Sequence, residues 1–355
     1  MMETGVLPAK TRTAARAAAV LFLVGACTPA SSETVDALGV SSDSSTGTAV
    51  DEDTTGTTFE QGSSEDSSTG SSTGGSDEGE SSSSESGEEP WPVGVGCEEA
   101  PACDRGAYEG TLFVTDAEGM QVIAGHTSIT GNIVIEETEA VCLRFLSCLE
   151  TAHGVYIRRN EQLETLRGLD NLQESTFGFV VDHNPALVDT SGVSALRTVG
   201  NGNLTFFSND ALEELTGFES LETVFGNVII SENASLVEIS GFEALTEIDT
   251  YPNPKAGSPG QPPTLGGSLT IGANERLESV TGFGGLVVIY KNLAIRFNTV
   301  LTSLVGLHEL QAIGAALIIT NNPELCMSEA WYVGGDLVEG PLDLENSSTA
   351  NNKDC

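Results

Sequence analysis

The chain has 355 residues with 14 basic and 52 acidic side chains, a net charge of −38. Nucleic acid and anionic lipid surfaces would repel such a chain, so neither is expected as an electrostatic partner. From Pro90 to Cys355 there are 11 basic and 36 acidic residues, so the acidity belongs to the folding part as well as to the linker.

At the N-terminus, Lys10, Arg12 and Arg16 precede the apolar run Ala17 to Val24 and then Gly25-Ala26-Cys27. A charged region, a short apolar region and small residues before a cut describe a signal peptide over residues 1–26. The apolar run is shorter than the roughly 20 residues a lasting bilayer span needs. Leu23-Val24-Gly25-Ala26-Cys27 resembles the bacterial lipobox, which implies that Cys27 becomes the acylated first residue of a lipoprotein. Thr28 carries no inner-membrane retention acid, which favours the outer membrane of a Gram-negative cell surface.

Residues 27–90 are rich in Ser, Thr, Gly, Asp and Glu, and no lysine or arginine falls between Arg16 and Arg105. Such a stretch cannot bury enough apolar surface to offset chain entropy, and it reads as an acidic, disordered linker. Its span as a flexible coil is on the order of 40–50 Å.

From residue 91 onward a repeat takes over. Asn160, Asn184, Asn209, Asn233, Asn274, Asn298 and Asn322 stand 24, 25, 24, 41, 24 and 24 residues apart. Each has a leucine three positions on (Leu163 to Leu325), and the first six have a glycine eight positions on (Gly168 to Gly306). Self-similarity at a fixed period predicts a solenoid whose repeats bury their apolar faces only against one another. Before each asparagine the apolar positions alternate, as in Val155/Ile157 and Val228/Ile230, which predicts a short strand with one face inward. After it they recur every third residue, as in Leu212, Leu215, Phe218, Leu221 and Val224. Three-residue steps drift around a helix by about 60° each time, so short extended pieces and turns are expected there. Weaker strands at Leu112/Val114 and Ile133/Ile135 bring the expectation to about nine tiers. The asparagines are expected to stack as a ladder satisfying turn amides, and the glycines to sit where coils approach closely. The interval of 41 contains a proline-rich insertion at 249–265.

The phrase Ile129-Thr-Gly-Asn-Ile-Val-Ile135, the repeated strand, Asn, Leu and Gly units, and the closing Asn321-Asn-Pro-Glu-Leu-Cys326 resemble the receptor L domain, a leucine-rich-repeat-like family. The resemblance implies a mostly β, right-handed parallel β-solenoid over 91–355 and extracellular recognition rather than catalysis. Receptors of that family carry two L domains around a cysteine-rich module, and this chain has one.

With Cys27 lipidated, six cysteines remain for three disulfides in an oxidising compartment. Cys326 follows the last coil and pairs with Cys355, while Cys97, Cys103, Cys142 and Cys148 cluster at the other end with three connectivities open. Two C-x5-C spacings fall outside usual zinc spacing, and no metal or cofactor is expected. His126, His153, His183 and His308 stand in no catalytic motif. A structural envelope role and a carbohydrate-active β-solenoid enzyme are the alternatives to recognition. The predicted outward strand positions hold a single carboxylate, which is poor material for acid/base work. Tyr156, Arg158, Val180, Asp182, Phe207 and Ile229 form a partly apolar stripe there, either a recognition face for an extracellular protein or glycan or a strand-stabilising ladder. For the anchor, Cys27→Ala is expected to abolish labelling by a clickable fatty acid and release the protein from membranes; undiminished label would remove the lipid anchor.

Overall fold

A computed structural model describes residues 94–248, 267–335 and Cys355. The repeat folds into a parallel β-solenoid whose coils have three sides. The main sheet stacks nine strands in exact parallel register: Leu112–Val114, the end of His126–Glu136, the end of Thr151–Arg158, Phe179–Asp182, Leu204–Phe207, Val228–Ser231, Leu269–Gly272, Leu293–Arg296 and Leu317–Thr320. Two-residue strands such as Glu174–Ser175, Thr198–Val199 and Thr223–Val224 build a second side by the same stacking. Glu214–Leu215, Glu238–Ile239 and Ser279–Val280 build the third. The three-residue apolar step therefore lays out short extended pieces, each placing one side chain inward. Among the described residues α-helix is confined to Ala117–Ile123 and Met327–Gly335, with single 3-10 turns at Arg144–Leu146, Ser191–Val193 and Val305–Leu307.

The strand phase follows the alternation in the sequence. Val155, Ile157, Phe206, Val228 and Ile271 are fully buried, and the residues between them face outward. Leucines three positions after each asparagine, and twelve positions after the first six, complete the core from the other sides, as Leu212 and Leu221 do. An aromatic column runs through it: Phe218, Phe242 and Phe283 stack with ring centroids 4.8 Å apart.

Asparagine closes the corner that follows each main strand. The Asn209 side-chain amide donates to the Val181 carbonyl at 3.1 Å and to Asn233 Oδ1 at 3.2 Å. Its own Oδ1 accepts the backbone N–H of Asn184 and that residue's Nδ2, both at 3.2 Å. The pattern repeats from Asn160 to Asn322, and all seven asparagines are fully buried. Thr138 begins the ladder, donating its backbone N–H and hydroxyl to Asn160 Oδ1. The residue preceding each asparagine takes left-handed backbone, with φ between 51 and 60° from Arg159 to Asn321. Such a conformation costs a non-glycine residue about 1 kcal/mol or more. A bond from the asparagine amide to the carbonyl two residues back, as from Asn233 to Ser231 at 3.1 Å, helps hold the turn.

The repeated glycine makes close approach possible on the opposite corner. A Cβ on Gly306 would lie 2.6 Å from the Thr281 carbonyl, and one on Gly168 would fall onto the Leu143 carbonyl. At the ends, the stack is closed by other means. Cys97 pairs with Cys142 and Cys103 with Cys148, Cα–Cα 5.4 and 5.2 Å, tying residues 97–103 against the first complete coil. Each spans 45 residues, a loop whose closure restricts the unfolded chain by about 4 kcal/mol. The helix Ala117–Ile123, N-capped by Asp116, buries Met120 and Ile123 over the first tier. At the other end Cys326 pairs with Cys355, as expected from their positions. Glu329 on the closing helix accepts from the Leu304 N–H at 3.2 Å and meets His308 at 3.2 Å.

Asn209→Ala leaves several buried donors and acceptors without partners, each costing roughly 1–3 kcal/mol. It is expected to lower the free energy of urea unfolding by about 3 kcal/mol or more, whereas the exposed Asn201→Ala should stay within about 0.5 kcal/mol.

Candidate functional site: the outer face of the main sheet

Parallel register turns the outward strand positions into two straight columns. One runs Phe113, Val134, Tyr156, Val180, Thr205, Ile229, Thr270, Ala294, Ile318. The other runs Glu136, Arg158, Asp182, Phe207, Ser231, Gly272, Arg296, Thr320. All six residues of the expected stripe, Tyr156, Arg158, Val180, Asp182, Phe207 and Ile229, stand together on this face, each half-buried. Their partial burial comes from neighbours in the columns, so the stripe is a ladder as well as an exposed surface.

Polar side chains on this face are tied to one another. Arg158 lies over the Tyr156 ring, 4.8 Å from its centroid, and approaches Asp182 with Nε–Oδ1 at 3.2 Å. That contact is a charge pairing rather than an aligned hydrogen bond. Asp182 Oδ2 meets His183 Nδ1 at 3.3 Å, and the His183 ring packs on Phe207 with centroids 5.4 Å apart. Arg159, at the adjoining corner, bridges Glu136 and Glu137 at 3.1 Å each. Exposed pairs like these stabilise by about 1 kcal/mol or less, but they remove net charge from the face. His183 and Asp182 are neighbours in sequence, and their contact uses the left-handed turn at His183, which swings its ring back over the sheet.

Charge is segregated among the three sides. The outer main face carries Glu136, Arg158, Asp182 and Arg296, and so is neutral. On the other two sides the strand carboxylates have no basic cross-strand neighbour. Glu214 and Glu238 are cross-strand neighbours, and Glu174 and Glu247 lie on the remaining side. Serine and threonine hydroxyls donate to some of these, as Thr281 does to Glu238 at 2.7 Å and Ser240 to Glu214 at 3.2 Å.

Several elements were not read from the sequence. Phe113, 61% exposed, and Glu136 extend the face beyond the expected stripe. A second, shorter polar ladder occupies the corner before the main strands: Asn203 Oδ1 accepts from Asn227, whose Oδ1 accepts from the Ser268 N–H. Asn292 continues it to the Ala316 N–H at 3.0 Å. Its signal was present, an Asn or Ser directly before the strands that start at Leu204, Val228, Leu269 and Leu293, but serine at position 268 breaks the identity. A shallow cleft between the N-terminal loop and the capping helix has an apolar floor of Val95, Met120 and Phe145 with Glu98 and Glu99 at its rim.

Among the described residues no group of three His, Cys, Asp or Glu side chains is placed to hold a metal ion. No protein-family model and no curated protein matches the chain. Cys27 and the insertion at 249–265 lie outside the described residues.

Burial raises the pKa of the Tyr156 phenol above its usual 10.0, and the adjacent Arg158 cation pulls it partly back. Between the ordinary and the raised value the folded chain holds a proton that the unfolded chain has lost, so stability falls as pH rises through that interval. Ultraviolet difference titration of the wild type against Tyr156→Phe is expected to show a phenolate component with its midpoint above 10, moving further up in Arg158→Ala. A Tyr156 midpoint at or below 10 would mean the ring is solvated and off the sheet.

Proposed function

We propose that this chain is a lipid-anchored protein of the cell envelope that displays a non-catalytic recognition solenoid. In this reading Cys27 holds the membrane, residues 27–90 form the spacer, and residues 91–355 form a single domain of receptor-L-domain-like type. The binding surface is the outer face of the main sheet, and its partner is an extracellular protein or glycan. Among the described residues no helix is long and apolar enough to cross a membrane, and three disulfides suit an oxidising compartment outside the cytosol.

The observation that carries the reading is the neutral outer face in a folding region with 11 basic and 36 acidic residues. Charge depletion together with aromatic and arginine side chains is the composition that marks the centre of protein interfaces. Two acidic sides keep the rest of the surface from sticking, while the third is left able to dock. Its shape supports the same role, because a sheet built in unbroken parallel register is wide, regular and stiff. The outer positions vary from tier to tier, from Tyr156 and Arg158 through Phe207 to Gly272, whereas the stacking positions do not.

A protein and glycan array probed with the exported chain carrying Cys27→Ala tests this. Replacing Tyr156, Phe207 and Ile229 together by serine is expected to leave a cooperative melt and weaken binding about thirtyfold, the scale of a lost aromatic anchor. Unchanged binding by the folded triple variant would reduce the stripe to a strand ladder. Absence of any binding partner would favour a structural envelope component.

A further inference from the structure

We infer that the partner of the outer sheet face is a second copy of this chain, docked face to face across a twofold axis running along the strand direction at Leu204–Phe207. The inference rests on the reading of that face as the binding surface, and it names what binds there. Its support is the order of side chains along the two columns. Leu204–Phe207 is the fifth of the nine strands, with four tiers on either side. Rotation about an axis along this strand brings each tier against the one equally far on the other side of the centre, and leaves each column facing itself.

Under that operation the face is complementary to itself. Glu136, three tiers before the centre and already bridged on one carboxylate oxygen by Arg159, meets Arg296, three tiers after it. Arg296 is exposed and has no ion pair among the described residues, so it is free to take this role. Arg158 meets Gly272 and Tyr156 meets Thr270, a large side chain against a small one in both cases. Val180 meets Ile229, and Phe207 meets its own copy at the axis. Because the contact is isologous, each pair occurs twice.

The alternatives are worse on the same residues. An axis along the solenoid would set each column against the other within one tier, so Asp182 would face Val180 and Arg296 would face Ala294. Each charge would then be buried against an apolar partner. Moving the axis to the next strand, Val228–Ser231, sets Glu232 at the adjoining corner against itself and leaves the first two tiers uncovered. The central axis uses all nine tiers. Five residues of strand and corner by eight intervals of about 4.8 Å give on the order of 600 Å² per copy, against roughly 800 Å² for a standard interface. A contact of that size suits reversible, micromolar association rather than a permanent dimer. Electrostatics point the same way, since the neutral faces meet while the acidic sides turn away from one another. The two solenoids run antiparallel, so their N-terminal ends emerge at opposite ends of the pair. That geometry fits contact between two surfaces that each carry the protein.

Sedimentation equilibrium of the exported full chain carrying Cys27→Ala provides the test. A reversible dimer in the micromolar range is expected. Glu136→Arg and Arg296→Glu are each expected to weaken it at least about tenfold, since each places like charges together twice. The double variant carrying both changes is expected to recover to within about threefold of the parent. Circular dichroism melts confirm that the variants are folded. A parent that stays monomeric to several hundred micromolar, a dimer indifferent to both single changes, or a double variant no better than the singles would each overturn the proposal. If the parent is monomeric but the serine triple variant still loses its array partner, the outer face is the binding surface and only the identity of the partner is wrong.

Discussion

The buried asparagine ladder is the constraint on which this molecule depends. A solenoid must turn its backbone at every corner, and every turn exposes amide groups that the next coil would bury without a partner. An unpaired buried amide costs on the order of 1–3 kcal/mol, and this stack has seven such corners in line. Asparagine answers with one acceptor that takes two donors from the coil before it and one amide that donates both backward and onward. Aspartate could not donate, and a longer side chain would not fit between coils spaced about 4.8 Å apart.

Exact register follows from that ladder, and the surface follows from the register. With each asparagine bonded to the next, a strand cannot slip by one residue without breaking bonds on both sides. The columns of the outer face are therefore fixed to within one tier, even though Tyr156, Phe207 and Arg296 differ in size and charge. The left-handed residue before each asparagine belongs to the same device. Arginine, histidine and phenylalanine take this backbone at Arg159, His183 and Phe297, and at His183 the Asn184 amide closes the turn on the Asp182 carbonyl. One consequence is that the His183 ring reaches back over Asp182 and Phe207, which a regular strand would not permit.

Sidedness of charge is the feature that links architecture to function. On the other two sides the stacked carboxylates Glu214 and Glu238 repel one another, yet the cost is small on a solvated surface where hydroxyl donors and salt screen them. On the main sheet Arg158 and Arg296 balance Glu136 and Asp182, which leaves one broad face without net charge. On that face the ion pairs are local and closed, apart from Arg296, whose nearest neighbours are Gly272 and Thr320. A surface arranged this way has its attractive parts in one plane and its repulsive parts elsewhere, which favours one docking geometry over general stickiness.

The sequence by itself determined the solenoid, its nine tiers, the inward strand phase and the pairing of Cys326 with Cys355, because each rests on local periodicity or on position relative to the repeat. Asn209, Leu212 and Gly217 could be assigned their jobs without coordinates, since the same spacing recurs and only a stacked coil makes use of it. The stripe from Tyr156 to Ile229 was legible for the same reason. What only the tertiary structure decided depends on proximity between coils. Cys97 with Cys142 and Cys103 with Cys148 could not be chosen among three pairings, because nothing in the spacing records which turns lie against each other. The contact of His183 with Asp182 needs a left-handed turn that a strand pattern does not announce. The segregation of carboxylates needs three sides to be assigned to residues 24 apart, and Glu136 and Arg296 became parts of one face only when the register between their strands was known.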